Sequence, residues 1–262
     1  MKYGFIGCGN MGGALARALS KKTKDILICD PSPMAKALAE ELCCAYGDSE
    51  QVALCDRIFL GVKPHMVAGV LENLRSVLAE RKPLLISMAA GVSTAQIREF
   101  AGVDLPIVRI MPNTPVMVGK GMILYCANGF VTEAQKQSFL EDMAEAGLFD
   151  NLDEKLIDAA SAVSGCGPAY VYLFIEALAD GAVACGLPRD KAQRYAAATL
   201  AGAAEMVLST GKHPGALKDA VCSPGGSTIA GVKALENHGF RGAVMDCVAD
   251  AYTRTLELGK GK

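Results

Sequence analysis

The 262-residue sequence predicts an α/β fold, a doubly wound and mostly parallel sheet, followed by an all-α C-terminal domain. Three observations predict it. Residues 1–152 alternate short apolar runs with helical patterns, the βαβ rhythm of a parallel sheet covered on both faces. A Gly-x-Gly-x-x-Gly string, Gly7-Cys8-Gly9-Asn10-Met11-Gly12, joins the first apolar run to the first helical pattern. Beyond Asp153 the β-branched runs stop, and residues 153–262 read as Ala/Leu-rich helices.

In chain order, strands are expected at Tyr3 to Ile6, Ile26 to Cys29, Arg57 to Val62, Leu84 to Ser87, Ile107 to Ile110 and Met122 to Tyr125, with a last one near Leu148. Helices between them include Met11 to Ser20, Pro33 to Leu42 and Pro64 to Leu78. Pro33 and Pro64 suit a first helical turn, where a missing N–H costs nothing. The second half is expected to hold helices over about 153–162, 168–185, 189–210, 214–221, 226–237 and 240–258. The segment Ala169 to Ala184 is apolar on nearly every face, interrupted mainly by Glu176 and Asp180, which lie four apart on one side. Such a helix needs protein all round it. A domain of about 110 residues cannot easily provide that alone, so self-association as a dimer or higher homo-oligomer through these helices is expected.

Composition narrows the partners. With 26 basic and 28 acidic side chains the net charge is -2, so no broad field recruits nucleic acid or an anionic membrane, and a small molecule is the better-matched partner. The ten cysteines carry no Cys-x-x-Cys pair and no Cys/His ligand spacing. No metal is expected, and most of the thiols are expected to be small buried hydrophobes. The start enters a strand at once without signal-peptide regions, from which a cytoplasmic location is expected. No apolar run is read as approaching the roughly 18 residues that span a bilayer.

The glycine string has a mechanical meaning. Gly7 permits the tight turn, Gly9 lets backbone approach a pyrophosphate, and Gly12 lets helix and strand pack closely, while the helix N-terminus offers N–H donors and positive potential. Lying between a strand and a helix at the start of a βαβ chain, it predicts a dinucleotide site. Asp30 follows the second strand 18 residues after Gly12, near where an acidic residue accepts hydrogen bonds from the adenosine ribose. That reading favours NADH. The other reading is a turn aspartate in Asp30-Pro31-Ser32-Pro33, with Ser32 and Lys36 available to a 2′-phosphate, so the choice of NADP or NAD stays open. Further segments leave the carboxyl ends of strands at Gly61-Val62-Lys63-Pro64, Ser87-Met88-Ala89-Ala90-Gly91 and Arg109 to Pro115, which includes Asn113. The small residues at 89–91 would let backbone approach a nicotinamide ring.

Along nearly its whole length the sequence resembles the pyrroline-5-carboxylate reductases. The matching stretches are the opening glycine loop, Val62-Lys63-Pro64, Ala89-Ala90-Gly91, Met111-Pro112-Asn113-Thr114-Pro115, Ser164 to Tyr170, and Leu217 to Thr228. The resemblance implies a dinucleotide-binding Rossmann domain over 1–152, then a substrate-binding and dimerisation domain over 153–262. It implies reduction of 1-pyrroline-5-carboxylate to proline by NAD(P)H where the two meet, the last step of proline biosynthesis. The matching stretches imply cofactor-binding residues Gly7, Cys8, Gly9, Asn10, Met11, Gly12, Val62, Lys63, Pro64, Ala89, Ala90, Gly91 and Asn113, to which the spacing after the glycine string adds Asp30 and Ser32 as candidates. Ser223, Gly225, Gly226, Ser227 and Thr228 are implied at the substrate carboxylate, with the Thr228 hydroxyl near the ring nitrogen as the catalytic group.

The chemistry agrees with this. A cyclic iminium already carries positive charge on nitrogen, so hydride can attack the adjacent carbon without a strong general acid. What the site must supply is a grip on the carboxylate and a polar group at the nitrogen. Ser223-Pro224-Gly225-Gly226-Ser227-Thr228 before a helix offers backbone N–H groups, a helix N-terminus and hydroxyls, although a Ser/Thr helix cap with a glycine turn fits the same residues. One departure from the family's usual form is Cys166, where serine is common; a reactive thiol there lacks a neighbouring His. His65, His213 and His238 read as surface or capping residues, and Glu176 and Asp180 as a solvated or interface face. A β-hydroxyacid dehydrogenase, the nearest alternative, would carry a lysine four residues after Gly167 and an asparagine three further on; Val171 and Phe174 stand there. Another imine reductase and a non-catalytic NAD(P)-sensing module are the remaining alternatives; the module would show a degenerate substrate loop, whereas Ser223 to Thr228 is intact.

Overall fold

A computed structural model describes residues 3–259, and the side chains of residues 3–257. The first part of the chain runs β1 (Tyr3–Ile6), α1 (Asn10–Ser20), β2 (Ile26–Cys29), α2 (Pro33–Leu42), β3 (Ala45–Tyr46), α3 (Ser49–Ala53), β4 (Arg57–Leu60), α4 (Val67–Arg81), β5 (Leu84–Ser87), α5 (Thr94–Ala101), β6 (Ile107–Met111), β7 (Gly121–Ala127), α6 (Glu133–Asp142), β8 (Gly147–Asn151) and α7 (Ile157–Ser164). The strands form one sheet in the order β3-β2-β1-β4-β5-β6-β7-β8. All neighbours pair in parallel except β6 and β7, which are antiparallel. Strand order reverses between β1 and β4, and in such sheets ligands bind beyond the carboxyl ends at that point.

Successive residues of each strand serve opposite faces, which is why the strands read as continuous apolar runs. Phe5, Ile28, Phe59, Leu84 and Ile86 pack with Leu15 and Leu19 of α1, Leu38 and Leu42 of α2, and Phe139 of α6. Ile6, Leu27, Ile58, Leu60 and Leu85 pack instead with Val52 of α3, Leu71, Leu74 and Leu78 of α4, and Ile97 of α5. Phe5 and Phe59, opposite each other in the parallel register, stack with ring centroids 4.4 Å apart.

Four elements go beyond the sequence expectation: β3, α3, α5 and α6. The helix expected from Pro64 is a 3-10 turn over Pro64–Met66 that leads into α4, and the strand expected to Val62 ends at Leu60. In the second half, the helix expected from 153 begins at Ile157 after a 3-10 turn over Glu154–Leu156. Cysteine burial also differs: Cys8, Cys55 and Cys126 are buried, five others are partly covered, and Cys43 and Cys185 are exposed. Small side chains on helix surfaces and at helix ends account for the difference.

A buried ionic cluster closes the amino-terminal ends of the central strands. The guanidinium of Arg57, 4% exposed, reaches Asp142 Oδ2 at 2.6 Å and Ser138 Oγ at 2.7 Å, and lies 5.4 Å from the Tyr3 ring centroid. The Tyr3 hydroxyl donates to the same carboxylate. Burial, then that bond, pushes the phenol well above its ordinary value. Arg57→Met should therefore cost about 3 kcal/mol, the low end for breaking a buried pair because Asp142 keeps some solvent contact. Denaturant unfolding would measure it, and a loss below about 1 kcal/mol would mean that the pair is idle.

The remaining elements are α8 (Gly167–Ala184), α9 (Arg189–Thr210), α10 (Pro214–Ala220), α11 (Ser227–Asn237) and α12 (Phe240–Gly259). The chain divides into two compact units, one holding residues up to Cys166 with the segment from Ala251 onward, the other Gly167–Asp250. Within the helical unit α8 lies on α9 through Ile175, Ala179 and Val183 against Ala192 and Ala196, and Arg189 pairs with Asp180. Phe174 and Phe240 pack with centroids 5.5 Å apart. Only Ala179, Ala192 and Ala196 are fully buried among the described residues of this unit. Leu173, Leu208 and Met245 are 66%, 71% and 71% exposed.

The helical stretch Glu154–Ala184 contains an 18-residue window of mean hydropathy 1.3 and is long and apolar enough by length and composition to cross a membrane, which the expectation from unbroken apolar runs had passed over. A search for unbroken apolar runs passes over this stretch because charged residues are spaced within it, Glu176 and Asp180 in α8 among them. The same properties fit a helix whose apolar faces meet protein.

Candidate functional site

Four loops leave the carboxyl edge of the sheet and enclose a cavity of about 280 Å³. Gly9, Asn10, Met11 and Gly12 line it from the β1–α1 turn, Gly61 and Val62 from the end of β4, Met88 from the end of β5, and Met111 and Pro112 from the end of β6. This is the switch point of the sheet.

The glycines explain the shape of the turn. Gly7 has φ +87°, and a Cβ there would sit 2.6 Å from Gly61 C and Val62 N. A Cβ on Gly12 would sit 2.5 Å from the Gly7 carbonyl oxygen, so helix and strand meet only without side chains. At Gly9 an added Cβ would meet no protein atom within 4 Å, so the backbone lies open toward the cavity. Gly9 is also the N-cap of α1, with no capping side chain, and the first turn carries no acidic residue. Unclaimed first-turn N–H groups and the positive helix end suit a phosphate. The turn therefore fits the pyrophosphate of a dinucleotide.

Other candidate residues around this edge hold the loops. Asp30 Oδ2 accepts the Cys8 N–H at 2.6 Å, Oδ1 accepts the Ser32 N–H at 2.8 Å, and the Asp30 carbonyl accepts from the Tyr46 hydroxyl at 2.8 Å. The Cys8 thiol is buried in the core beneath the turn; burial first, then the Asp30 charge, pushes it up to about 12, so it stays protonated. Ser32 caps α2, accepting the Met34 N–H at 3.3 Å. Lys63 and Pro64 are exposed in the turn before α4; Ala89 is buried, Ala90 exposed, and Gly91 has φ +71°. Asn113 is buried: its Nδ2 donates to Ser164 O at 2.9 Å and its Oδ1 accepts the Met122 N–H at 2.9 Å. Its amide thus ties the loop after β6 to β7 and to the end of α7.

Behind α7, Arg109 is 3% exposed and bonds Asp158 at 2.8 Å, while Glu154 accepts both the N–H and the hydroxyl of Thr94 at 2.8 Å. This network anchors the start of the helical segment to β6 and α5. Its one signal in the sequence is Arg109 inside an otherwise apolar strand.

In the helical unit, the turn before α11 is the second candidate. Gly225 has φ +70°, the Gly226 N–H bonds Ser223 O at 3.0 Å, and Gly226 is the N-cap. No side chain caps α11, and no acidic residue occupies its first turn. A Ser/Thr cap is thereby replaced by a glycine, and the Ser223, Ser227 and Thr228 hydroxyls make no protein hydrogen bond among the described residues. Thr228 and Ser227 are exposed. The nearby Lys218 ammonium is held by Asp219 at 2.7 Å, whose bond and charge raise its pKa, so it remains a cation and not a base. His213 caps α10 through Nδ1, which accepts the Gly215 N–H at 3.0 Å, and His238 Nδ1 lies 2.8 Å from Ala234 O. No cluster of three metal-ligating side chains occurs among the described residues.

Comparison with known proteins adds the decisive observation. A family model described as "Pyrroline-5-carboxylate reductase dimerisation" matches residues 154–258, and one described as "NADP oxidoreductase coenzyme F420-dependent" matches residues 2–91. The Escherichia coli pyrroline-5-carboxylate reductase is 41% identical over 99% of this chain and 98% of its own length. The chain belongs to the pyrroline-5-carboxylate reductase family. Its pea relative, from Pisum sativum, is 40% identical over 97% of this chain and 95% of that protein. The crystal structure of Plasmodium falciparum pyrroline carboxylate reductase with NADP bound superposes with TM-score 0.88 at 35% identity, covering 99% of this chain and 98% of that one. Family membership accords with the two-part architecture: a Rossmann-type sheet and an all-α dimerisation segment. The dehydrogenase alternative gains nothing from the structure, since Phe174 packs on Phe240 and Val171 bears no ionisable group.

Proposed function

We propose that this chain is an NAD(P)H-dependent pyrroline-5-carboxylate reductase that reduces the C=N bond of 1-pyrroline-5-carboxylate to give L-proline. The observation that carries the reading is the uncapped N-terminus of α11, with three hydroxyls unclaimed among the described residues and no acidic group in its first turn. A bound nicotinamide cofactor supplies the hydride. The first-turn N–H groups of α11, with Gly225, Gly226 and the Ser223 and Ser227 hydroxyls, grip the substrate carboxylate by charge-assisted hydrogen bonds. The Thr228 hydroxyl fixes the ring nitrogen, so that the electron-poor carbon is presented in one orientation. With no base required, Lys218 and the histidines take no part.

On the dinucleotide side, Gly9 to Gly12 cradle the pyrophosphate, while Cys8, Asp30 and Asn113 hold the loops that present it. Ser32, Val62, Lys63, Pro64 and residues 89–91 complete the cofactor edge. The sheet-bearing part acts as the dinucleotide-binding domain, and the helical part binds substrate and pairs with a second copy. Exposed Leu173, Leu208 and Met245 support that pairing, for such side chains are covered in a stable protein. Leu173→Asp with Met245→Asp should convert the assembly to monomer in size-exclusion chromatography with light scattering; an unchanged mass would rule these side chains out of the contact. A reducing cytoplasm is the compartment proposed, where ten free thiols persist. The test of function is direct: purified chain, 1-pyrroline-5-carboxylate and NADH or NADPH, followed by loss of nicotinamide absorbance and appearance of proline. Absence of turnover with both cofactors overturns the proposal.

A further inference from the structure

We propose that Asp30 is a specificity-determining residue that makes NADH the preferred hydride donor of this chain; this rests on the reductase reading above. Asp30 stands directly after β2, and its carboxylate is fixed against the glycine turn by two backbone N–H groups, from Cys8 at 2.6 Å and Ser32 at 2.8 Å. Cys8 immediately precedes Gly9, which lines the cavity. The carboxylate is thus tied to the pyrophosphate-binding turn and cannot swing away to make room for a second anion.

Hydrogen-bond capacity sets what it accepts. Each carboxylate oxygen has two acceptor sites, and one on each is used by the backbone, which leaves one on each oxygen. Two remaining acceptors match the two hydroxyls of an unmodified adenosine ribose. A 2′-phosphate removes one of those donors and sets a dianion beside a fixed negative charge, a like-charge juxtaposition that discriminates strongly between ligands.

The cations near the turn do not offset this. Arg17, on α1, is bound to Glu41 through two contacts at 3.1 and 2.6 Å, so its charge is already matched. The Ser32 hydroxyl accepts the Met34 N–H as the cap of α2, and Lys36 is exposed to solvent, where its charge is screened.

The test is binding rather than turnover alone: titration of the full chain with NADH, NADPH, adenosine 5′-monophosphate and adenosine 2′,5′-bisphosphate by calorimetry. NADH should bind about tenfold or more tighter than NADPH, and the monophosphate tighter than the bisphosphate. Asp30→Asn removes the charge and keeps an oxygen for the Cys8 N–H, while its amide nitrogen gives up the bond from the Ser32 N–H; it should raise NADPH affinity about tenfold while NADH weakens only a few-fold. Lys36→Gln should leave the preference unchanged. Retained NADH binding by Asp30→Asn shows that the variant is folded. Equal weakening of both cofactors in Asp30→Asn, or tighter NADPH binding by the unaltered chain, overturns the role of Asp30 and leaves the reductase reading standing. Binding of neither cofactor by the unaltered chain overturns both.

Discussion

Gly12→Ala should lose dinucleotide binding and melt well below the parent chain, whereas Gly9→Ala should melt within about 1 °C of it and yet bind the dinucleotide at least tenfold more weakly. The contrast follows from what each missing methyl faces. At Gly12 the new carbon would lie 2.5 Å from the Gly7 carbonyl oxygen, a backbone atom that cannot rotate away. Either α1 lifts from β1 or the turn at Gly7 rearranges, and overpacking of this kind costs about 1–3 kcal/mol or more. Gly9 has φ -65°, ordinary for alanine, and open space at the Cβ position. The protein would not register the change, but a pyrophosphate packed against that backbone would. Thermal melting and calorimetric titration separate the two outcomes. Equal affinity of Gly9→Ala and the parent would remove the glycine turn from the cofactor site.

Thr228→Val should lower kcat about 10- to 100-fold with little change in cofactor affinity, because a hydrogen bond to a charged group contributes about 1.5–3 kcal/mol. Valine keeps the shape, and the Thr228 hydroxyl has no partner among the described residues whose loss would weaken α11. Its removal therefore leaves no unsatisfied group in the protein and reports on the ligand alone. Steady-state kinetics with saturating cofactor, together with a melting curve matching the parent, would check it. Unchanged kinetics would exclude Thr228 from the ring nitrogen.

Much of this architecture can be read from the residues because its signals are local. Strands β1, β2 and β5 appear within their expected bounds because apolar runs covered on both faces have no polar interruptions, and Pro33 marks the start of α2. Helices α3, α5 and α6 were equally marked, by the pairs Asp48 and Gln51, Ser93 and Gln96, and Thr132 and Gln135, each closing a capping box. Their short amphipathic bodies hide that signal from a search for long periodic segments. Strand β3, two exposed residues, has no pattern to find; only its pairing with β2 defines it.

The site divides similarly. The glycine turn and the turn before α11 are each one continuous stretch of sequence, so the residues within each can be named together. What Asp30 and Asn113 touch depends on partners at Cys8, Met122 and Ser164, whose approach is set by tertiary packing. Met88, Met111 and Pro112 line the cavity because β5 and β6 end at the same edge as β1 and β4, a fact of topology rather than of composition.

Only three residues of the helical unit are buried, all alanines, so a lone copy gains little apolar burial from folding it. On the proposed pairing with a second copy, the rest of its interior would come from another molecule, and mass action would govern whether it exists. Heating concentrated and dilute samples should give different midpoints, and turnover per chain should decline as the enzyme is diluted, because the turn before α11 would come apart with its helices.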